Sequence, residues 1–270
     1  MIEPQSFEYV NPDGVPYLSF TEFNASPVHR NRLTCIINML HASGPPSCNH
    51  VLEIGCGVGN VAMPIASEGY QITAIDIHGP SVETARRRNT FANLQVVHKP
   101  FEEMPLAEFD TVILTEVLEH VPDCNNMMAN ICGAMRPGAR LILTVPNGWS
   151  RAEVLFRPSY ILKRSPTGAG FVKLVKHVLG VRDMTTANEQ TPHVHFFTLR
   201  QLEHLFNHLG MTVTIFHRYF ISWLLREAVL SERGIDEAVP RRDFERSQRA
   251  APHRCALWAF LLEKNAPSAG

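Results

Sequence analysis

The chain reads as an α/β protein built on a doubly wound, mostly parallel sheet. Three observations predict this. From Val51 onward, short apolar runs of strand length alternate with segments of helical character. The first run, Val51 to Ile54, stops at glycines 55, 57 and 59, which carry no Cβ and let the backbone turn sharply beside a ligand. The second run, Gln71 to Asp76, ends in a carboxylate 21 residues after Gly55. An acid at that distance sits at a strand tip, where it can accept hydrogen bonds from both hydroxyls of a ribose. With helical character over Val58 to Glu68, the unit is strand, glycine loop, helix, the usual nucleotide-binding opening of such a sheet.

The remaining elements follow in order. Residues 1–25 are rich in Pro, Asn and aromatics without a period, either an arm over the substrate side or an extended lead-in. Ser26-Pro27 suits an N-cap with proline in the first turn, and Leu33, Ile36, Ile37 and Leu40 carry a helix to His41. Ser43-Gly-Pro-Pro46 stops it. Beyond the first two strands come a helix Ser81–Phe91, strands Leu94–His98 and Phe109–Thr115, a helix Asp123–Met135 and a strand Arg140–Val145. Residues 147–192 then break the rhythm and read as an insertion. Alternation resumes with a helix Thr198–Leu209, Gly210 as its cap, and a strand Thr212–Phe216. A charged stretch, about 226–252, precedes a last apolar run, Cys255–Leu262. The expected organisation is an N-terminal arm and helix (1–47), a cofactor-binding core (48–146), a substrate-lid insertion (147–192) and the end of the same sheet (193–265).

Composition bounds the function classes. At 270 residues, with 45% hydrophobic and 19% charged residues, the chain can bury one large core. A net charge of −1 offers no global field for nucleic acid or an anionic membrane. The six cysteines (35, 48, 56, 124, 132, 255) lack C-x-x-C spacing and read as free thiols. Neither a basic-then-apolar leader nor an apolar stretch of about 18–20 residues, the length of a membrane span, is visible. The expectation is a cytoplasmic protein with a small-molecule partner and no nucleic acid.

Residues Glu53 through Gly59 spell E-x-G-x-G-x-G, and Asn60 stands where a dinucleotide fingerprint places its third glycine. This stretch resembles motif I of the class I S-adenosylmethionine-dependent methyltransferases. The resemblance covers residues 48–146 well and 192–216 more loosely. It implies a Rossmann-like sheet of seven strands, the last returning as a hairpin with the sixth, and S-adenosylmethionine as cofactor, with S-adenosylhomocysteine as product. It also implies that Glu53, Gly55, Cys56, Gly57 and Gly59 cradle the methionine end and that Asp76 with Ile77 takes the ribose. Thr115, at the end of strand 4, is a further cofactor contact on the same resemblance. The loop after strand 3 takes the adenine, but Pro100 stands where that loop often carries an Asp, leaving the task to Phe101 or Glu102.

Glu116, Glu119 and His120 lie at the end of strand 4 and in the turn after it. Their E-x-x-E-H spacing looks like that of the quinone-precursor O-methyltransferases, some of which hold a divalent metal there. Two carboxylates and an imidazole suit a hard or borderline cation, although such a turn is also common as a plain polar loop. The expectation is no metal, with Glu116, Glu119 and His120 as the ligand candidates should one bind. His120 is a candidate general base, and Glu116 and Asn147 candidate acceptor contacts. His193 and His195, on one side of an extended segment, are further candidates for proton removal, the alternative being that one packs against or caps the next helix.

The segment 149–184 carries Lys or Arg at 151, 157, 163, 164, 173, 176 and 182 against Glu153 and Asp183, a local net of +5. A basic amphipathic lid can grip an anionic acceptor or touch a membrane surface bearing a lipid substrate. An ordinary surface helix with solvated lysines has the same composition. The reading is a methyltransferase acting on the O or N of a small acceptor, anionic or lipid-like. The rivals are a nicotinamide-dependent oxidoreductase, against which Asn60 speaks, and a non-catalytic module binding the same cofactor. A nucleic-acid methyltransferase predicts an N/D-P-P-Y-type end to strand 4, where this chain has Thr115-Glu116.

Overall fold

A computed structural model of the chain describes residues 27–150, 194–219 and 245–266, together with 9–10, 16–17 and Thr167. The main sheet has seven strands: β1 (His50–Ile54), β2 (Gln71–Asp76), β3 (Leu94–His98), β4 (Thr111–Thr115), β5 (Arg140–Pro146), β6 (Met211–Tyr219) and β7 (Leu257–Lys264). Their spatial order is β3-β2-β1-β4-β5-β7-β6. Strands β1 to β5 run parallel, and β7 lies antiparallel between β5 and β6. The hairpin return of the last strand is therefore present. A separate ribbon pairs Tyr9–Val10 with Pro16–Tyr17.

Among the described residues, the helices α1 (Pro27–Ser43), α2 (Ala62–Ser67), α3 (Gly79–Arg88), α4 (Cys124–Ala134) and α5 (Leu199–His208) cover the two faces. Because side chains alternate along a strand, each strand feeds both layers. Val51, Ile142, Ala259 and Leu261 pack with Ile36 and Leu40 of α1, Ile65 of α2 and Val82 of α3. Leu52, Leu143, Phe260 and Leu262 pack with Met128 of α4 and Phe206 of α5. Central strands buried on both faces lose the polar alternation of an exposed sheet, which is why β1 and β4 are near-continuous apolar runs. Phe260 anchors the second layer, edge-on to Phe206 at 5.2 Å and stacked on Phe216 at 4.7 Å. Each side chain of this size stabilises the fold by roughly 2–3 kcal/mol on full burial.

Strands β2 and β3 have the bounds the sequence predicts. Other boundaries differ for local reasons. The predicted helix from Val58 begins only at Ala62, because residues 55–61 are held as a turn. Strand β4 starts at Thr111 rather than Phe109, since Asp110 is spent bridging to the backbone of His50. Helix α3 starts at Gly79, with Pro80 in its first turn, and ends at Arg88, where Asn89 turns out to bond the backbone of Phe91 and Leu94. Asp123 caps α4, and Thr198 with Gln201 forms a capping box on α5. Helix α1 begins at Pro27; its expected cap Ser26, the rest of the N-terminal arm and residues 151–193 apart from Thr167 lie outside the described residues. So does most of the stretch 226–252. Among the described residues, no helix is long and apolar enough to cross a membrane.

The sheet order reverses between β1 and β4, whose carboxyl ends diverge into a crevice. Open α/β sheets bind ligands at such a switch point.

Candidate active site

The glycine loop is built against β2. Gly55 N–H and Cys56 N–H both donate to the Ile75 carbonyl, at 2.8 and 3.0 Å. Gly57 N–H donates to Asp76 Oδ2 and His78 N–H to Asp76 Oδ1, each at 2.8 Å. One carboxylate thus fixes the loop after β1 to the turn after β2. Gly55 has φ +77°, and a Cβ there would lie 2.5 Å from Val117 Cγ2, so both conformation and space demand glycine. At Gly57 a Cβ would meet nothing within 4 Å, which leaves open room beside the backbone. Arg88 reaches back from α3 to the Val58 carbonyl at 2.7 Å and to Asn60 Oδ1 at 2.9 Å. Position 60 is therefore a fastening point, and Gly59 beside it, at φ +83°, is not helical.

A cavity of about 610 Å³ opens over these strand ends. Gly55, Asp76, Ile77, Phe101 and Glu102, all predicted cofactor contacts, line it together. Ile77 is 76% exposed, a large apolar side chain free to lie against a flat ring. Val117, Val121 and Pro122 from the turn after β4, and Asn126, Met127 and Asn130 from α4, form the opposite wall.

Glu53, Thr115 and Cys56 lie at or next to the strand tips. Glu53 is 2% exposed, and its Oε2 is buried with no hydrogen-bond partner among the described residues. Burial, then the charge of Asp76, raises its carboxyl to about 8, against the opposing effects of Arg32 and the Ala62 N–H. Thr115 Oγ1 is likewise buried without a partner. The Cys56 thiol, buried near Glu53 and Asp76, is pushed well above the ordinary thiol range, first by burial.

Past β4 the site draws on distant elements. Glu116 stands at φ +52°, the only positive φ outside glycine among the described residues. Two groups hold it there: Thr144 Oγ1 donates to its Oε1 at 2.9 Å, and Arg32 Nη1 lies 3.3 Å from its Oε2. Arg32, from α1, is itself buried and gives Nη2–H to His29 Nδ1 at 2.7 Å. Burial, then the neighbouring guanidinium, lowers His29 to about 2, so it stays neutral and accepts that bond. Sequence reasoning missed Arg32 and His29. The available signal was a cation and an imidazole three residues apart in a helix read only for its apolar spacing.

The other predicted residues are placed as follows. His120 ends a short 3₁₀ turn (Leu118–His120), 21% exposed, with Nε2 3.8 Å from Oε1 of the fully buried Glu119. His195 Nε2 donates to the Pro122 carbonyl at 3.0 Å. The N–H groups of Val194 and His195 donate to the Glu119 carbonyl at 2.8 and 3.2 Å. His193 lies outside the described residues. Asn147 is expected to point into the crevice, but it is 2% exposed and its amide is spent internally. It donates to the Cys255 and His253 carbonyls and accepts from Trp149 N–H, fastening the end of β5 to the approach to β7. Among the described residues, no group of three or more His, Cys, Asp or Glu is placed to hold a metal ion. The Glu116 carboxylate, one of the three ligand candidates, faces Arg32 and Thr144.

Comparison with known proteins agrees with this architecture. The family model described as "Methyltransferase domain" matches residues 7–214. The ubiquinone biosynthesis O-methyltransferase of Klebsiella pneumoniae subsp. pneumoniae is 30% identical over 176 residues, 61% of this chain and 72% of that protein. The enzyme of the same name from Rickettsia felis is 32% identical over 111 residues, 39% of this chain and 44% of that protein. The chain thus spans less than half of the Rickettsia relative's length. Among solved structures, the magnesium protoporphyrin IX methyltransferase of Synechocystis PCC 6803 with bound S-adenosylhomocysteine superposes with a TM-score of 0.54. It covers 93% of this chain and 90% of that one at 14% identity, a likeness of fold. The chain belongs to the methyltransferase domain family, with the class I fold.

Proposed function

We propose that this family member transfers the methyl group of S-adenosylmethionine to a hydroxyl oxygen of a small acceptor of the kind met in quinone biosynthesis. The observation that carries the reading is the cavity at the β1/β4 switch point, with the glycine loop and Asp76 on one side and Val117, Val121 and Pro122 of the turn after β4 on the other. The names of the curated relatives favour oxygen over nitrogen. Fold alone does not fix chemistry: a [4+2]-cyclase superposes with a TM-score of 0.53.

The residues present fit the cofactor. The open side of Gly57 accommodates a close ligand, and the lone buried Glu53 Oε2 and Thr115 Oγ1 supply acceptor and donor atoms for its charged amino-acid end. Asp76 retains lone pairs beyond its two backbone bonds for the ribose hydroxyls. Ile77 and Phe101 flank the adenine, with the Phe101 backbone or Glu102 at its edge. S-adenosylmethionine, when bound, supplies an electrophilic sulfonium methyl. The chain aligns the acceptor oxygen with it, excludes water and removes the hydroxyl proton. His120 takes that proton, its imidazole beside the buried Glu119 carboxylate, which stabilises the imidazolium that forms. No metal is required by this route. The net positive charge of the sequence 149–184 suits an anionic acceptor.

Methyl transfer from labelled S-adenosylmethionine to a panel of hydroxylated aromatic acids, with EDTA present, tests this. His120→Ala should lower kcat by about 10²- to 10⁴-fold while S-adenosylhomocysteine affinity holds. Transfer only to amines, or an unchanged kcat, overturns the assignment.

A further inference from the structure

The extended segment 194–198 runs across the turn that carries His120 and touches it on both sides. Val194 and His195 N–H groups take the carbonyl of Glu119, immediately before His120. The His195 ring takes the carbonyl of Pro122, two residues after it. A carbonyl only accepts, so Nε2 of His195 carries the hydrogen, and the bond orients the ring. On its other side the segment is pressed onto the loop after β5. Gly148 N–H donates to the Phe197 carbonyl at 3.1 Å, and a Cβ on Gly148 would lie 2.4 Å from the Phe196 carbonyl carbon. Phe197, 7% exposed, plugs the segment into the α4 layer and stacks at 5.7 Å on the His195 ring. Thr198 then caps α5.

We propose that His195 is a positioning residue, not the base: it clasps the 119–122 turn, setting both His120 and the cavity wall formed by Val121 and Pro122. The wall is part of the proposed cofactor cavity, so this rests on that reading. The clasp residues come from two loops and a helix lead-in far apart in sequence. Gln at position 195 can still donate to the Pro122 carbonyl but cannot act as a base at neutral pH. Gly148→Ala attacks the same clasp from the other side without touching a histidine.

The test uses the full chain, S-adenosylhomocysteine calorimetry and amide hydrogen exchange of residues 117–123. Wild-type protein must first bind; absence of binding would sink the cofactor reading and leave the exchange arm to judge the clasp alone. His195→Ala and Gly148→Ala should each weaken S-adenosylhomocysteine by about 3- to 10-fold, the worth of a lost hydrogen bond, and speed exchange of 117–123. His195→Gln should restore both readouts. Wild-type affinity and exchange in His195→Ala overturn the clasp. So does an equal defect in the Gln and Ala variants, which would mean that the imidazole itself, not its N–H, is needed.

Discussion

The two walls of the crevice are made in opposite ways. The cofactor wall is nearly contiguous: β1, seven loop residues, and one carboxylate on β2 that bonds both loops it separates. The opposite wall, with Val117, Val121 and Pro122, follows a carboxylate where distant elements meet: Arg32 of α1 and Thr144 on β5 converge on Glu116 after β4. His195 then reaches back to Pro122. The first wall is specified by backbone conformation and glycine sterics, the second by buried polar pairing. Damage to the first should therefore act directly on cofactor affinity, and damage to the second on stability and turnover, with only the smaller loss of affinity, about 3- to 10-fold, that follows when the 119–122 turn moves the cavity wall.

The sharpest way to break that contrast is at Arg32. Arg32→Met leaves the largely buried Glu116 carboxylate without its cation and should cost about 3–5 kcal/mol in urea unfolding. The double variant Arg32→Met/Glu116→Gln should recover much of it. A loss below about 1 kcal/mol for the single variant would mean the pair behaves as a solvent-screened one.

Gly55→Ala comes next. The left-handed φ and the Val117 methyl in the way should cost about 2–3 kcal/mol and sharply weaken S-adenosylhomocysteine, measured by unfolding and calorimetry. An unperturbed variant would show that the loop is not fixed by sterics.

The smallest effect is a pH dependence with opposite signs on the two sides. His29 is lowered from 6.5 to about 2, so between those values the unfolded chain binds the extra proton and stability rises with pH. Glu53 is raised from 4.5 to about 8, so there the folded chain holds the proton and stability falls as pH rises. The two slopes, each about 1.4 kcal/mol per pH unit, offset between 4.5 and 6.5. Above 6.5 the Glu53 fall is left alone, and Glu53→Gln should flatten it. Denaturant midpoints across pH 5–8.5 check this.

The same division explains what the sequence disclosed. Strand and helix order and the Asp76 end of β2 follow from periodicity and a motif whose parts are neighbours along the chain, and the hairpin return only from the family resemblance that this motif carries. Asn60 was read only as a missing glycine, because its partner Arg88 comes from α3, 28 residues on. The Arg32–Glu116 pair, the internal use of Asn147 and the clasp by His195 depend on which elements the sheet order makes adjacent. No window of sequence contains that information.

We propose that the contiguous wall holds an S-adenosyl cofactor through Asp76. Titration of wild-type protein and Asp76→Ala with S-adenosylhomocysteine, beside NADH, tests it most directly. The account predicts micromolar binding of S-adenosylhomocysteine to the wild type, no binding of NADH, and about 10- to 100-fold weaker binding to the folded variant, the worth of one or two hydrogen bonds to a charged group. Binding of NADH instead, or equal S-adenosylhomocysteine affinity in the two proteins, would contradict it.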